Sequence, residues 1–422
     1  MDNQTQDSLD NVNDDQGGAL WLGNGSYTLE HCHFTNNLAG REGGAIKIQN
    51  PDGDIAIRNC TFHNNRADVH QGGALFVDPD FPRPGFQFRI TDTTFSDNRS
   101  RHHGGAIWFG FELEMWRYEI LRCDFRNNRS LLQEGGAIKF EGRAQGFDCL
   151  IDDCLFDGNR SLQAGGAVRI NGSTNTNFPG TTIRNSRFIN NVSLNPAGNA
   201  DDGGALLFDD GYLTVSGCLF SNNHAGAEGG AINFYFNNLS DPAAVQIVDT
   251  DFIGNRTTGE NGDQGGAAIN TDGGINLVNC LFAKNRQTGS GHGGAIHFQG
   301  PFETSTVASC TFADNSTVRD GGAFRIDQGW VVVEDSIFHG NTANRAVKEE
   351  IHITVGDTLL IDYSLIDTNA VLADGTLTPG PGLFVADPLF ADEAGCDFHL
   401  QSPFGRFEDG VVVYDDLTLS HA

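Results

Sequence analysis

The stretch from Gly43 to Gln71 decides the fold: Gly43-Gly-Ala-Ile-Lys-Ile48, a loop to Asp54, Ile55-Ala-Ile57, Arg58-Asn59, Cys60-Thr-Phe62 and then Asn65. Ile46 and Ile48 alternate with Lys47, the period-two pattern of a strand with one buried face. Pro51 and Gly53 mark the loop. Ile55 and Ile57 make a second strand. The alternation slips at Arg58-Asn59, which predicts a bend, and Cys60 and Phe62 point inward from a third strand. Asn65 closes the corner, and a variable segment leads to the next glycine pair at Gly72.

The same grammar runs along most of the chain. Gly-Gly-Ala occurs eleven times, from Gly17 to Gly321, and Phe-x-x-Asn interleaves with it eleven times, from Phe34/Asn37 to Phe338/Asn341. Phe62/Asn65, Phe125/Asn128 and Phe156/Asn159 are among these pairs. A period of about 30 residues held this long means a solenoid, not the two or three domains that 422 residues would otherwise suggest. The expected fold is all-β: a right-handed parallel β-helix of about 12–13 coils with three short strands per coil. At about 4.8 Å per coil the rod would be about 60 Å long. Phenylalanine should stack on phenylalanine and asparagine on asparagine, with amide hydrogen bonds running up the stack. Asparagine and glycine also accept the left-handed backbone of a sharp corner. Asn98-Arg-Ser and Asn128-Arg-Ser have the form of glycan acceptors but read as corner residues. The chain divides into a polar segment 1–16, repeats 17–345, degenerate coils and a cap 346–407, and a tail 408–422.

Composition narrows the function. Asp and Glu number 55 against 26 Lys and Arg, a net charge of −29, which disfavours nucleic acid. No apolar run reaches the ~18 residues of a membrane-spanning helix. Residues 1–16 are polar and lack the apolar core of a signal peptide, so a truncated start is expected. Of nine cysteines, seven (Cys32, Cys60, Cys123, Cys154, Cys218, Cys280, Cys310) sit two residues before the ladder phenylalanine. Thr93, Ser186, Thr250 and Ser336 take that place elsewhere. A position open to Cys, Thr or Ser is small and buried. Side chains stacked in register point the same way, so disulfides between rungs are not expected. The lack of any Cys-x-x-Cys argues against a cysteine zinc site.

The alternating Gly-Gly-Ala-Ile and Phe-x-x-Asn motifs resemble the repeats of the chlamydial polymorphic outer-membrane protein family, from Gly17 to about Asn341. The resemblance implies a right-handed, pectin-lyase-like β-helix that is secreted or surface-exposed and often adhesive. Ala386-Asp-Pro-Leu-Phe390, Gly395-Cys-Asp-Phe-His-Leu400 and Ser402-Pro-Phe-Gly-Arg406 resemble the terminal segment of many bacterial right-handed β-helix proteins. An anchoring autotransporter would need a long C-terminal β-barrel, whereas 15 residues follow Phe407.

Specific recognition should sit where the repeat is broken. The loops after the first strand (78–86, 110–117, 141–148 and 171–180) belong to consecutive coils and should lie side by side. They would gather Phe81, Phe86, Phe111, Trp116 and Phe147 with Arg117 and Arg143, a surface suited to a sugar ring or a protein partner. Trp108 joins them from the outward position of the first strand, which reads Trp21, Lys47, Phe76, Trp108, Lys139, Arg169, Leu207, Asn233, Ile269, His297, Arg325 and is expected to be a solvated face. Arg66, Arg99, Arg129 and Arg160 follow the ladder asparagine and are expected to pair with nearby acids. Parallel β-helices also host pectate lyases and polygalacturonases. Asn270-Thr-Asp272 and Gly291-His-Gly293 superficially match polygalacturonase motifs, but the paired-aspartate segment between them is missing. No catalytic residue is assigned and no organic cofactor is expected. Calcium is the candidate ion, at Asp201, Asp202, Asp209 and Asp210, although no Gly-Gly-x-Gly-x-Asp signature is present. The expected function is an adhesin-like surface β-helix binding a glycan or a cell-surface protein. A polysaccharide lyase or hydrolase and a structural spacer rod are the alternatives.

Overall fold

The computed structural model describes residues 16–79, 85–110, 117–142, 147–172, 180–195, 202–235, 244–260, 264–300, 304–344, 349–393, 395 and 397–400, with the backbone of 4–5, 406–408 and 411–413. The chain is an all-β parallel solenoid. Its coils build four parallel strand stacks, of 12, 13, 13 and 11 strands. Each coil thus has four strands, not the three expected. In the coil of Gly43 they are Ile46–Gln49, Ile55–Arg58, Thr61–His63 and Arg66–Ala67. The fourth holds two residues, one facing out and one in, which is too short to show a period in sequence.

The ladders form as the motif spacing predicts. All eleven phenylalanines stack, with ring centroids 4.7–5.1 Å apart and planes within 12°. The centroid spacing is close to the strand spacing, so in-register strands place ring on ring. The eleven asparagines are buried beside them. From Asn37 to Asn315 each Nδ2 donates to the Oδ1 of the next coil at 2.8–3.0 Å, and Asn341 donates instead to Glu350 Oε2 at 3.2 Å. From Asn65 onward each also donates to the carbonyl of the preceding coil's ladder phenylalanine, as Asn65 does to Phe34 at 2.9 Å.

One expectation needs correcting. The left-handed corner residue is not the ladder asparagine but the residue before it, such as Asn64 (φ 52°) or Asn127 (φ 54°). The ladder amide is needed for hydrogen bonds along the axis, so its neighbour carries the turn. The predicted bend at Arg58-Asn59 is a second left-handed corner, with Asn59 at φ 50°.

The glycine pair marks the tightest approach of backbone to backbone. Gly104 has φ +60°, and a Cβ on Gly105 would lie 2.0 Å from the Gly136 carbonyl oxygen of the next coil. The repeat read at Gly265 is shifted by one residue. Gly266 (φ +64°) aligns with Gly229, and Asn270, not Ile269, pairs with Asn233 and faces outward. Ala267 therefore stands at a second-glycine position, and its N–H reaches the Gly293 carbonyl at 3.3 Å, longer than the 2.8–3.2 Å of its equivalents in the other coils.

Cys60, Cys123, Cys154, Cys218, Cys280 and Cys310 are buried, and the eight described cysteines are free thiols. Burial pushes the Cys218 thiol up to about 11. Beyond the repeats, Val371–Ala373 and Thr376–Pro379 extend the first and second stacks. Phe390–Asp392 and Asp397–Leu400 pair antiparallel, and Phe390 and Phe398 cluster with Ala283, Ala313, Ile337 and Leu365. Small residues at 283 and 313 let this hairpin lie against the flank of the third stack. Lys284 Nζ ties it down by donating to the Glu393 carbonyl at 2.9 Å.

Candidate functional site

The turn from the glycine pair into the first strand brings the residue before the pair over the residue five positions later. Glu42 meets Lys47 at 2.8 Å, Glu134 meets Lys139 at 2.6 Å, and Asp320 meets Arg325 at 3.0 Å. The outward side of the first strand is therefore a covered polar row, not the solvated face expected: Lys47, Lys139, Arg169, Asn233, Asn270, His297 and His352 are all buried. The i, i+5 pairing of acid and base is legible in the sequence once this turn is known.

The row changes character along the rod. Near one end Phe76 and Trp108 stack at 4.5 Å, with Lys47 Nζ 4.9 Å above the Phe76 ring. Trp108, expected on a solvated face, is 1% exposed and packed on Phe76. Next come Lys139 and Arg169. Lys139 Nζ donates to Glu134 and to Asn171 Oδ1 at 3.0 Å, and Arg169 pairs with Asp209. Burial alone would raise Glu134, but Lys139 and Arg169 outweigh it and hold its carboxyl below the usual range.

An acidic group follows. The Tyr235 hydroxyl donates to Asp202 Oδ2 at 2.6 Å and lies 3.4 Å from Glu228 Oε2. Both carboxylates thus lie within about 6 Å of each other. Asn270 Nδ2 donates to Glu228 Oε2 at 3.1 Å. Burial, and then the charges of Asp202 and Asp272, push Glu228 up to about 8. Burial pushes Asp202 to about 6, and burial with the charges of Asp202 and Asp209 pushes Asp272 to about 6.

The last part of the row holds imidazoles. His297 Nε2 lies 2.6 Å from Asp327 Oδ2, and Arg325 Nε donates to Asp327 Oδ1 at 2.6 Å. Burial, then Arg325, pushes His292 down to about 3. Asp327 is held at about 2, because His297 and Arg325 outweigh its burial.

A second candidate surface lies on the fourth strands. Arg66, Arg99, Arg129 and Arg160 are in register on successive coils and exposed. Val192 and His224 continue the row, then exposed Arg256 and Arg286. Of the first four, Arg66 alone has an acid partner among the described residues, Asp68. The field of the row reaches His224: burial, then Arg256 and Arg160, push it down to about 4.

The loop residues are placed less fully. Phe81, Phe111, Trp116, Arg143 and Asp201 lie outside the described residues. The ends that carry the loops are in register, with Val77, Phe109 and Phe140 before them and Gln87, Arg117 and Asp148 after. Phe86 is half-buried against the core, and Phe147 is buried 5.6 Å from Phe140. Arg117 is exposed and pairs with Glu119 at 2.9 Å.

Comparison with known proteins agrees with this architecture. The family description of the Chlamydia polymorphic membrane protein repeat matches residues 92–110 and 217–235. The probable autotransporter YfaL of Escherichia coli (strain K12) is 24% identical over 237 residues, which is 54% of this chain and 16% of that protein. No solved structure matches. Each of the two family matches runs from the corner before the third strand, through the Phe-x-x-Asn motif and the glycine pair, into the next first strand. The chain is an autotransporter-like surface β-helix built from polymorphic-membrane-protein-like repeats.

Proposed function

We propose that the protein is an adhesin-like surface module that holds an anionic glycan along its fourth-strand arginine row. The observation that carries this reading is the row itself: exposed guanidinium groups repeated once per coil, on a chain of net charge −29. Stacking like charges about 4.8 Å apart is unfavourable unless something neutralises them. A planar guanidinium fork suits carboxylates and sulfates on a sugar chain. Exposed Arg117, with half-buried Phe86, is the described part of a second candidate contact for a sugar or a protein.

The test is retention of acidic and neutral polysaccharides by the wild type and by Arg99→Gln/Arg129→Gln/Arg160→Gln. Retention of acidic chains that weakens with salt and with the substitutions supports the reading. Equal retention of neutral chains, or no effect of the substitutions, removes it.

The acidic group favours a second reading, cleavage of a polysaccharide. Glu228, protonated near neutral pH and close to Asp202, has the character of a general acid beside a second carboxylate. Shortened chains in the same incubation, abolished by Glu228→Gln, would establish it. Intact chains would leave binding as the function.

A further inference from the structure

The repeat ends in a coil that has lost its glycine pair, and there the covered row acquires a different chemistry. His352 is the outward residue of the strand Ile351–Ile353 and pairs in register with Arg325. Three residues before it stands Glu349, and Asp320 lies on the preceding coil. All three are buried, and one ligand atom from each lies within 4.8 Å of the others. His352 Nδ1 is 3.2 Å from Glu349 Oε1 and 3.8 Å from Asp320 Oδ2. Neither contact is in line for a hydrogen bond, and among the described residues Glu349 Oε2 and both ring nitrogens of His352 have no hydrogen-bond partner.

We propose that Asp320, Glu349 and His352 bind a divalent transition-metal ion, with Zn²⁺ the representative. Ligand atoms around an ion with bonds of about 2.0–2.1 Å stand roughly 3.0–3.4 Å apart; the 3.2 Å between His352 and Glu349 falls in that range, and Asp320, at 3.8 Å, would move inward by a few tenths of an ångström. Two carboxylates converging in a buried space repel one another, and a cation between them removes that conflict. The other ring nitrogen, Nε2, lies 3.4 Å from Asp374 Oδ2, the carboxylate placement that orients a metal-bound imidazole. The first ligands are themselves held. Glu349 Oε1 accepts the Gly321 N–H at 2.8 Å, and Asp320 Oδ2 accepts from Arg325 Nη1 at 3.0 Å.

Local charge also favours a cation. Arg325 pairs with Asp320 and Asp327, while Glu349 and Asp374 lie against His352, so four carboxylates outnumber the two guanidinium groups, Arg319 and Arg325, that line the cleft. Two carboxylates with an imidazole suit Zn²⁺ or Mn²⁺ better than Ca²⁺, which prefers six to eight oxygens. A cleft of about 890 Å³, lined by Asp320, Arg325, His352, Thr354 and Asp374 among others, gives the ion access and room for a water ligand. The ion would clasp the last regular coil to the one after it.

The experiment is calorimetric titration of the untagged, chelator-treated chain with Zn²⁺ and Ca²⁺, with zinc content measured after dialysis. One tightly held Zn²⁺ per chain is expected, with Ca²⁺ much weaker. His352→Ala and Glu349→Gln should abolish binding, and Asp374→Asn, which alters a positioning residue, should weaken it about tenfold. Exposed His63→Ala should bind as the wild type does. Because His352→Ala could unfold the last coils, Co²⁺ gives a second readout. The wild type should show the visible absorption of a low-coordinate site with nitrogen and oxygen ligands, and Glu349→Gln should lose it. Absence of stoichiometric Zn²⁺, or a site that survives in both variants, overturns the proposal.

Discussion

Asn128→Ala would cut the asparagine ladder in mid-rod. Asn128 Oδ1 accepts from the Asn98 backbone N–H at 3.1 Å and from Asn98 Nδ2 at 3.0 Å, while its own Nδ2 donates to Phe95 O at 2.9 Å and Asn159 Oδ1 at 3.0 Å. Asn98 Nδ2 keeps its bond to Phe62 O, and Asn159 Oδ1 keeps the Asn128 N–H. The Asn98 backbone N–H loses its acceptor. A buried orphan of this kind costs about 1–3 kcal/mol, and the other three lost bonds about 1 kcal/mol each. The expected loss is therefore about 4–6 kcal/mol, a large share of the roughly 5–15 kcal/mol by which folded domains are stable. Urea unfolding followed by circular dichroism would measure it. Asn128→Asp keeps the acceptor but sets carboxylate oxygens against Phe95 O and Asn159 Oδ1, so it should be no better tolerated. Exposed Arg126→Ala is the control, expected within about 0.5 kcal/mol of the wild type. If Asn128→Ala stays within about 1 kcal/mol of the wild type, the ladder is decoration and the reasoning fails.

Phe125→Ala should cost about 3–5 kcal/mol in the same assay, since its ring is fully buried between Phe95 and Phe156. Glu228→Gln should leave stability unchanged near pH 4.5 and raise it increasingly towards pH 9. The raised carboxyl favours folding while protonated and loses that contribution as pH climbs through about 8, and melting curves across this range check the sign. In a Cys396→Ser background, native protein should be alkylated first at half-buried Cys32, with Cys123, Cys154 and Cys280 reacting only on unfolding, as mass spectrometry of the modified peptides would show.

The ladders, the second-strand bend and the buried Cys/Thr/Ser position were legible because each is a side chain repeated at fixed spacing under the same packing demand. The fourth strand was not, because Arg66-Ala67 is too short for a period. The phase at Gly265 was misread because Gly-Gly-Ala-Ala allows two alignments, and only the pairing of Asn233 with Asn270 separates them. The site was least legible. Trp108 looked available because it alternates with buried residues, yet the turn over the glycine pair covers that side of the strand. Asp202 and Glu228 each stand before a glycine pair, so the repeat places them on adjacent coils, but no pattern in sequence shows Tyr235 reaching between them. The arginine row was visible, but whether each arginine had a partner depended on the neighbouring coils.

The hydrogen bonds between coils run along the axis of the rod, and this sets how it would yield to force. Tension on the two ends of the chain peels strands from the last coil one pair at a time, while the coils beneath stay intact. Each coil released, such as the 30 residues from Asn98 to Asn128, would free about 100 Å of extended chain. A module of this kind, tethered at one end in flowing medium, would lengthen in steps and absorb a jolt at its tip before the whole body gave way.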